Sequence, residues 1–187
     1  MMKAMYLRTG GFRRSVCLLL TLTILTLTIL TLLTACRAEA ITMMPEQFLD
    51  RLNALCADDF GAVTVDEVLE NGAGLCQITE RISLTLISDP ITGLLQQAEL
   101  TLTFDPDITE LDYSSFSYFF LVMLKAYDAN TSVGNINSVY DALGISTYEA
   151  GTQTEIGYGS NTYTYTVTET EARFTALYIQ PAETLDL

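Results

Sequence analysis

The chain of 187 residues has no histidine and no tryptophan. Without histidine, Ser-His-Asp and Cys-His catalysis are excluded, and so is the commonest zinc ligand. Without tryptophan, a common sugar-stacking ring is missing. Basic residues are scarce as well: nine Lys and Arg stand against 23 Asp and Glu, a net charge of −14. No basic stripe is present to neutralise phosphates, which excludes nucleic acid as a partner. Neither Cys-x-x-Cys nor a Gly-rich phosphate loop occurs, and no motif implies a cofactor. Carboxylates are plentiful, and two of them in a cleft could hydrolyse a glycosidic bond, but none sits in a recognisable motif.

The charge is unevenly placed. The first fifteen residues carry Lys3, Arg8, Arg13 and Arg14 and no acid, and an apolar stretch of Leu, Ile and Thr follows from Val16 to Leu33. A basic n-region, an apolar h-region and small residues at its end are the parts of a secretory signal. The stretch approaches the roughly 20 residues that span a bilayer, so an uncleaved transmembrane anchor is the alternative. The run ends on Leu33-Thr34-Ala35-Cys36, which resembles the lipobox of bacterial lipoproteins. That resemblance implies a signal peptide over 1–35, cleavage before Cys36, and a diacylglycerol on the Cys36 sulfur. It implies a lipidated tether over 36–44, a domain over 45–187, and an extracytoplasmic protein held to the bacterial cell membrane by its lipid. Two acyl chains suffice for stable anchoring, at about 0.8 kcal/mol per buried CH₂. The tether residues "RAEAITMM" reach at most about 28 Å, at roughly 3.5 Å each, so the domain works close to the lipid surface.

Cleavage leaves 152 residues, enough for one domain with a real core. All 23 acids lie after Cys36 and five basic residues remain, a mature charge of −18. Such a chain repels anionic headgroups, so the acyl chains hold it at the membrane. The acidity serves either a cationic partner or plain solubility. With Cys17 in the signal and Cys36 acylated, Cys56 and Cys76 remain. They either pair, which outside the cytoplasm is permitted, or act as two small apolar side chains.

Periodicity outlines the domain. "MPEQFLDRLNALCADD" predicts an amphipathic helix, with Phe48, Leu49, Leu52, Leu55 and Cys56 on its apolar face and Asp50, Arg51 and Asn53 off it. "TVDEVLENGAG" predicts a two-turn helix, capped by Thr64 and Glu67 and ended by Gly72; the alternation Val63, Val65 fits a short strand as well. "LCQITERISLTLIS" and "LLQQAELTLTF" read as two strands of a hairpin turned at "DPITG", with Glu80 breaking the apolar side of the first. "DPDITELD" reads as a loop. "YSSFSYFFLVMLKAYD" is apolar all round from Phe119 to Leu124, a buried core helix too short to span a membrane. "NINSVYDALG" is a short helix closed by Gly144. Strands "QTEIGY", "TYTYTVTE" and "ARFTALYIQ" complete the chain.

The order suggests two weakly repeated halves, 45–106 and 112–182, with "TVDEVLENG" matching "INSVYDALG" in place and pattern. The short helix ending in Leu143-Gly144 ahead of strands resembles the helix-helix-strands unit of the β-lactamase-inhibitor protein family and of small outer-membrane assembly lipoproteins. The Gly-Met-Thr that precedes that helix in the family is absent here. The resemblance implies an α+β fold, with helices on one face of an antiparallel sheet, and no activity.

Two clusters are candidate sites. Asp105, Asp107, Glu110 and Asp112 could hold calcium through oxygen ligands, or form a solvated loop in which Asp112 caps the next helix. Tyr158, Tyr163, Tyr165 and Tyr178 lie on neighbouring strands and form either a binding surface or the core face of the sheet. The expected role is a non-catalytic binding or accessory module at the membrane surface with a protein or peptide partner. The alternative is a carboxylate hydrolase of envelope glycans.

Overall fold

The computed structural model describes residues 42–178, which belong to one compact unit. The expected signal, the lipobox-like segment and Cys36 lie outside the described residues. The fold is α+β: the described residues form three helices and one antiparallel sheet of seven strands. Helix α1 spans Pro45–Phe60, followed by β1 (Glu67–Val68), β2 (Gly74–Gln77), β3 (Ile82–Ser88) and β4 (Leu95–Thr103). Helices α2 (Glu110–Tyr127) and α3 (Val133–Leu143) come next, then β5 (Gln153–Tyr158), β6 (Asn161–Val167) and β7 (Glu171–Tyr178).

The strand order is β1-β2-β3-β4-β7-β6-β5. Each half of the chain supplies a meander, and the last strands of the two meanders, β4 and β7, pair at the centre of the sheet. The two halves differ in their helices, because the helix expected over "TVDEVLENGAG" does not form. Asn53 of α1 meets Val63 with both side-chain groups, accepting from its N–H at 2.7 Å and donating to its carbonyl at 2.9 Å. Asp66 N–H then donates to Leu75 O at 2.8 Å, and Asp66 Oδ2 accepts from Gln77 N–H at 2.7 Å. A two-turn helix forms few internal hydrogen bonds for its nucleation cost, whereas the extended chain satisfies its backbone at once. Gly72, at φ +80°, makes the β1–β2 turn rather than a helix end.

A second difference lies in "LCQITERISLTLIS", which is two strands. Ile78 to Arg81 turn the chain, with Ile78 and Thr79 N–H donating to Ile82 O. Glu80 is exposed in that turn. The hairpin at "DPITG" forms as expected, with a bulge at Ile87/Ser88.

The helices cover one face of the sheet: α1 packs on α2 and β3, α2 on β4, and α3 on β5 and β6. Register explains the core. Cys76, Leu84, Leu100, Phe174 and Tyr165 are neighbours across five strands, and each is wholly buried. Phe120 of α2 meets Phe174 edge-on at 4.6 Å. The opposite face carries Thr85, Glu99, Thr175, Thr164 and Glu155 along the same line of strands. Helix α2 starts at a capping box, in which the Thr109 hydroxyl accepts from Asp112 N–H and Asp112 Oδ2 accepts from Thr109 N–H at 2.9 Å. Helix α3 ends on Gly144, whose φ of +69° is the left-handed closure expected there. No helix among the described residues is long and apolar enough to cross a membrane.

Candidate functional site

The tyrosines expected on the sheet all lie on its helix-covered face. Tyr163, Tyr165 and Tyr178 are 4%, 0% and 2% exposed, and they point into the helical layer. Tyr165 donates its hydroxyl to Thr147 O at 3.0 Å, and Tyr178 stacks flat on Tyr127 at 3.7 Å. Burial raises the hydroxyl pKa of all three. Tyr158, on edge strand β5, is half-buried and packs against the same core. These residues are core, so the binding-surface expectation for them is corrected. The alternation Tyr-Thr-Tyr-Thr forces the choice: one parity must face the helices, and the larger, more apolar rings take that side.

The carboxylates of "DPDITELD" are not grouped to hold a metal ion. Asp105 and Asp112 converge on the Arg81 guanidinium, at 2.8 and 3.7 Å. Hydrogen bonding by Arg81 holds Asp105 below the usual carboxylate range, and hydrogen bonding by Thr109 does the same for Asp112. Asp107 N–H donates to Asp105 Oδ1 at 2.9 Å, and Glu110 lies in the first turn of α2. The segment is therefore not all loop, and Thr109 rather than Asp112 is its N-cap. Among the described residues no group of three acids or thiols is placed to hold a metal. Cys56 and Cys76 are free, buried thiols. Burial raises both, Cys76 to about 11.

A different set of tyrosines is accessible. An open groove of about 440 Å³ runs between α2 and α3. Helix α2 lines it with Tyr113, Ser114, Ser117, Tyr118 and Leu121; Tyr140 of α3 and the following Ser146 and Tyr148 form its other wall. Spacings of three and four residues put Ser114, Ser117, Tyr118 and Leu121 on one face of α2. That stripe is legible in "YSSFSYFFL", although the apolar run from Phe119 to Leu124 marks only the buried side of the helix.

The rings are braced. Tyr113 and Tyr148 touch at 4.4 Å between centroids, and Phe104, just past β4, lies 6.2 and 6.3 Å from them. The Tyr148 hydroxyl donates to Tyr113 O at 3.4 Å, and Ser117 Oγ and Tyr140 Oη share a hydrogen bond at 3.3 Å. Tyr118 stacks on Phe60 at 5.5 Å and donates to Asp59 Oδ2 and Leu55 O, both at 3.3 Å. Burial, and then the Asp59 charge, raise its pKa.

No charged side chain lines the groove, in a chain of net charge −14. Phenols and small hydroxyls give stiff contact area with adaptable hydrogen bonding. A second cavity of about 350 Å³ lies at the ends of β5, β6 and β7, and Glu171 is its only acid. Glu171 is ion-paired with Arg173, which also reaches Glu99 at 3.4 Å. Neither cavity is lined by the two facing carboxylates that glycoside hydrolysis needs.

No family model, curated protein or solved structure matches the chain.

Proposed function

We propose that the chain is an extracytoplasmic lipoprotein, anchored through Cys36, whose folded part is a non-catalytic binding module. The observation that carries the binding role is the uncharged Tyr/Ser groove between α2 and α3. It offers what partner recognition uses: aromatic rings with little rotamer entropy to lose, ringed by hydroxyls. It holds no acid–base pair and no nucleophile placed against a base. The partner is a protein or peptide that lays an uncharged segment in the groove, while the acidic remainder of the domain disfavours anionic competitors. The address and the anchor rest on the basic n-region, the apolar run and the lipobox-like Leu33-Thr34-Ala35-Cys36.

The test is retention of envelope proteins on immobilised residues 39–187. The wild type retains a specific protein, and Tyr118→Ser with Tyr140→Ser loses it while circular dichroism shows the variant still folded under the capture conditions. Equal retention by the double variant contradicts the groove as the binding surface.

A further inference from the structure

The described chain begins at one particular end of the sheet. Met43 is buried, and its carbonyl accepts from Leu95 N–H, the first residue of β4, at 2.7 Å. Met44 is part-exposed, and its methyl lies 3.4 Å from where a Cβ on Gly93 would stand. The start of the domain is thus pinned to the β3–β4 turn. That turn is rigid: Asp89 Oδ1 accepts from Ile91 N–H, Thr92 N–H and the Thr92 hydroxyl, at 3.0, 2.8 and 3.0 Å. Asp89 N–H donates to Leu94 O, and Gly93 N–H to Asp89 O, both at 2.8 Å.

The turn holds Ile91 away from the protein, at 91% exposure, the highest among the exposed large apolar residues. A branched apolar side chain displayed by a braced turn contributes nothing to the core. Leu177 lies toward the same end of the sheet, opposite Gln97, and is 40% exposed. Val68, opposite Gly74, is 69% exposed on the neighbouring edge.

Chain length identifies what meets this end. Seven residue steps separate Cys36 from Met43, a reach of at most about 25 Å at roughly 3.5 Å each. We infer that the β3–β4 turn is the membrane-facing tip of the domain, and that Ile91, flanked by Met44, enters the apolar border of the leaflet that holds the Cys36 lipid. This rests on the lipoprotein reading. The occupant is a lipid surface because the covalent tether keeps this end, and no other, next to the anchor. The turn's one charge, the Asp89 carboxylate, is tied to the turn's own N–H and hydroxyl groups, and a zwitterionic surface suits a chain whose acids repel anionic headgroups. The orientation sets the groove at the far end: β4 runs from the turn to Phe104, nine residues or about 31 Å at roughly 3.4 Å each, and Phe104 touches the groove rings of Tyr113 and Tyr148.

The test uses the full chain purified from host membranes and reconstituted in phosphatidylcholine vesicles, with an environment-sensitive fluorophore on Ile91→Cys. Leu111→Cys, exposed in the first turn of α2 beside the Arg81–Asp112 pair, is the reference position. Cys56 and Cys76 are buried and do not take the label in the native state. The mass of the N-terminal peptide reports the lipid on Cys36. With lipid present, the label at 91 shifts to the blue, brightens several-fold and is quenched by spin-labelled lipid, and the label at 111 does not change. A lipidated, vesicle-bound chain with no change at 91 overturns the inference and leaves the lipoprotein reading intact. A chain without lipid on Cys36 overturns both.

Discussion

Tyr165 and Tyr118 are the same residue put to opposite uses, and the difference is what each ring touches. Tyr165 is wholly buried beside Phe174 and anchors its hydroxyl on Thr147 O. Tyr165→Ala is predicted to cost about 3–5 kcal/mol, the range for large aromatic truncations in cores, and Tyr165→Phe about 1 kcal/mol, the worth of one hydrogen bond. Tyr118 lies half-exposed on Phe60, so Tyr118→Ala is predicted to cost only about 1 kcal/mol, the worth of a surface aromatic pair. Urea unfolding of the three variants checks the order. The thiols follow the same logic. Burial pushes Cys76 up to about 11 and raises Cys56, so neither reacts with a thiol reagent in the native mature protein at mildly alkaline pH, and two react once it is unfolded. A disulfide between them would leave none after unfolding. An unacylated Cys36 would add a third.

Among the elements, those read correctly are the ones whose apolar period reaches the core. Leu84 and Leu86, then Ala98, Leu100 and Leu102, alternate because one face of the sheet is buried, and α1 shows its apolar stripe for the same reason. The misread β2–β3 turn has a physical cause. Four turn residues, Ile78 to Arg81, preserve parity, so Cys76, Ile78, Ile82 and Leu84 continue one alternation across a reversal of the chain. Glu80 was the single sign of it. The β1 segment was misread because its conformation is set by Asn53, ten residues away and on the polar side of a helix. Asn53→Ala is predicted to cost about 1–3 kcal/mol by leaving both polar groups of the buried Val63 without partners, and hydrogen exchange should quicken from Val63 to Gln77 before it does in β4. The groove was hidden for a related reason. Its residues come from α2, α3 and the loop beyond, and no local pattern announces that they meet.

The start of α2 carries a pH dependence. Asp112 and Asp105 are held below their ordinary value of 3.8 by partners present only in the folded chain. The stability they contribute is complete above that value and is lost as the pH falls through their lowered folded values. The urea midpoint should therefore decline as the pH drops below about 4, and Asp112→Asn should flatten part of that decline. A midpoint that rises on acidification contradicts the assignment.

Taken whole, the molecule sets the proposed anchoring tip and the proposed binding groove at opposite ends of its sheet. One end holds the start of the domain and the exposed Ile91; the other carries the groove of Tyr113 and Tyr148 next to Phe104. Composition makes the acidic, histidine-free character legible, and the lipobox-like segment carries the proposed anchor. The position of the groove depends on the packing of α2, α3 and the loop beyond. The direct measurement is photo-crosslinking in intact host cells, with a benzophenone side chain placed at Tyr118 in the groove or at Thr164 on the open face of the sheet. The account predicts a discrete adduct from position 118 and none from position 164. An adduct from 164 with none from 118 would contradict it.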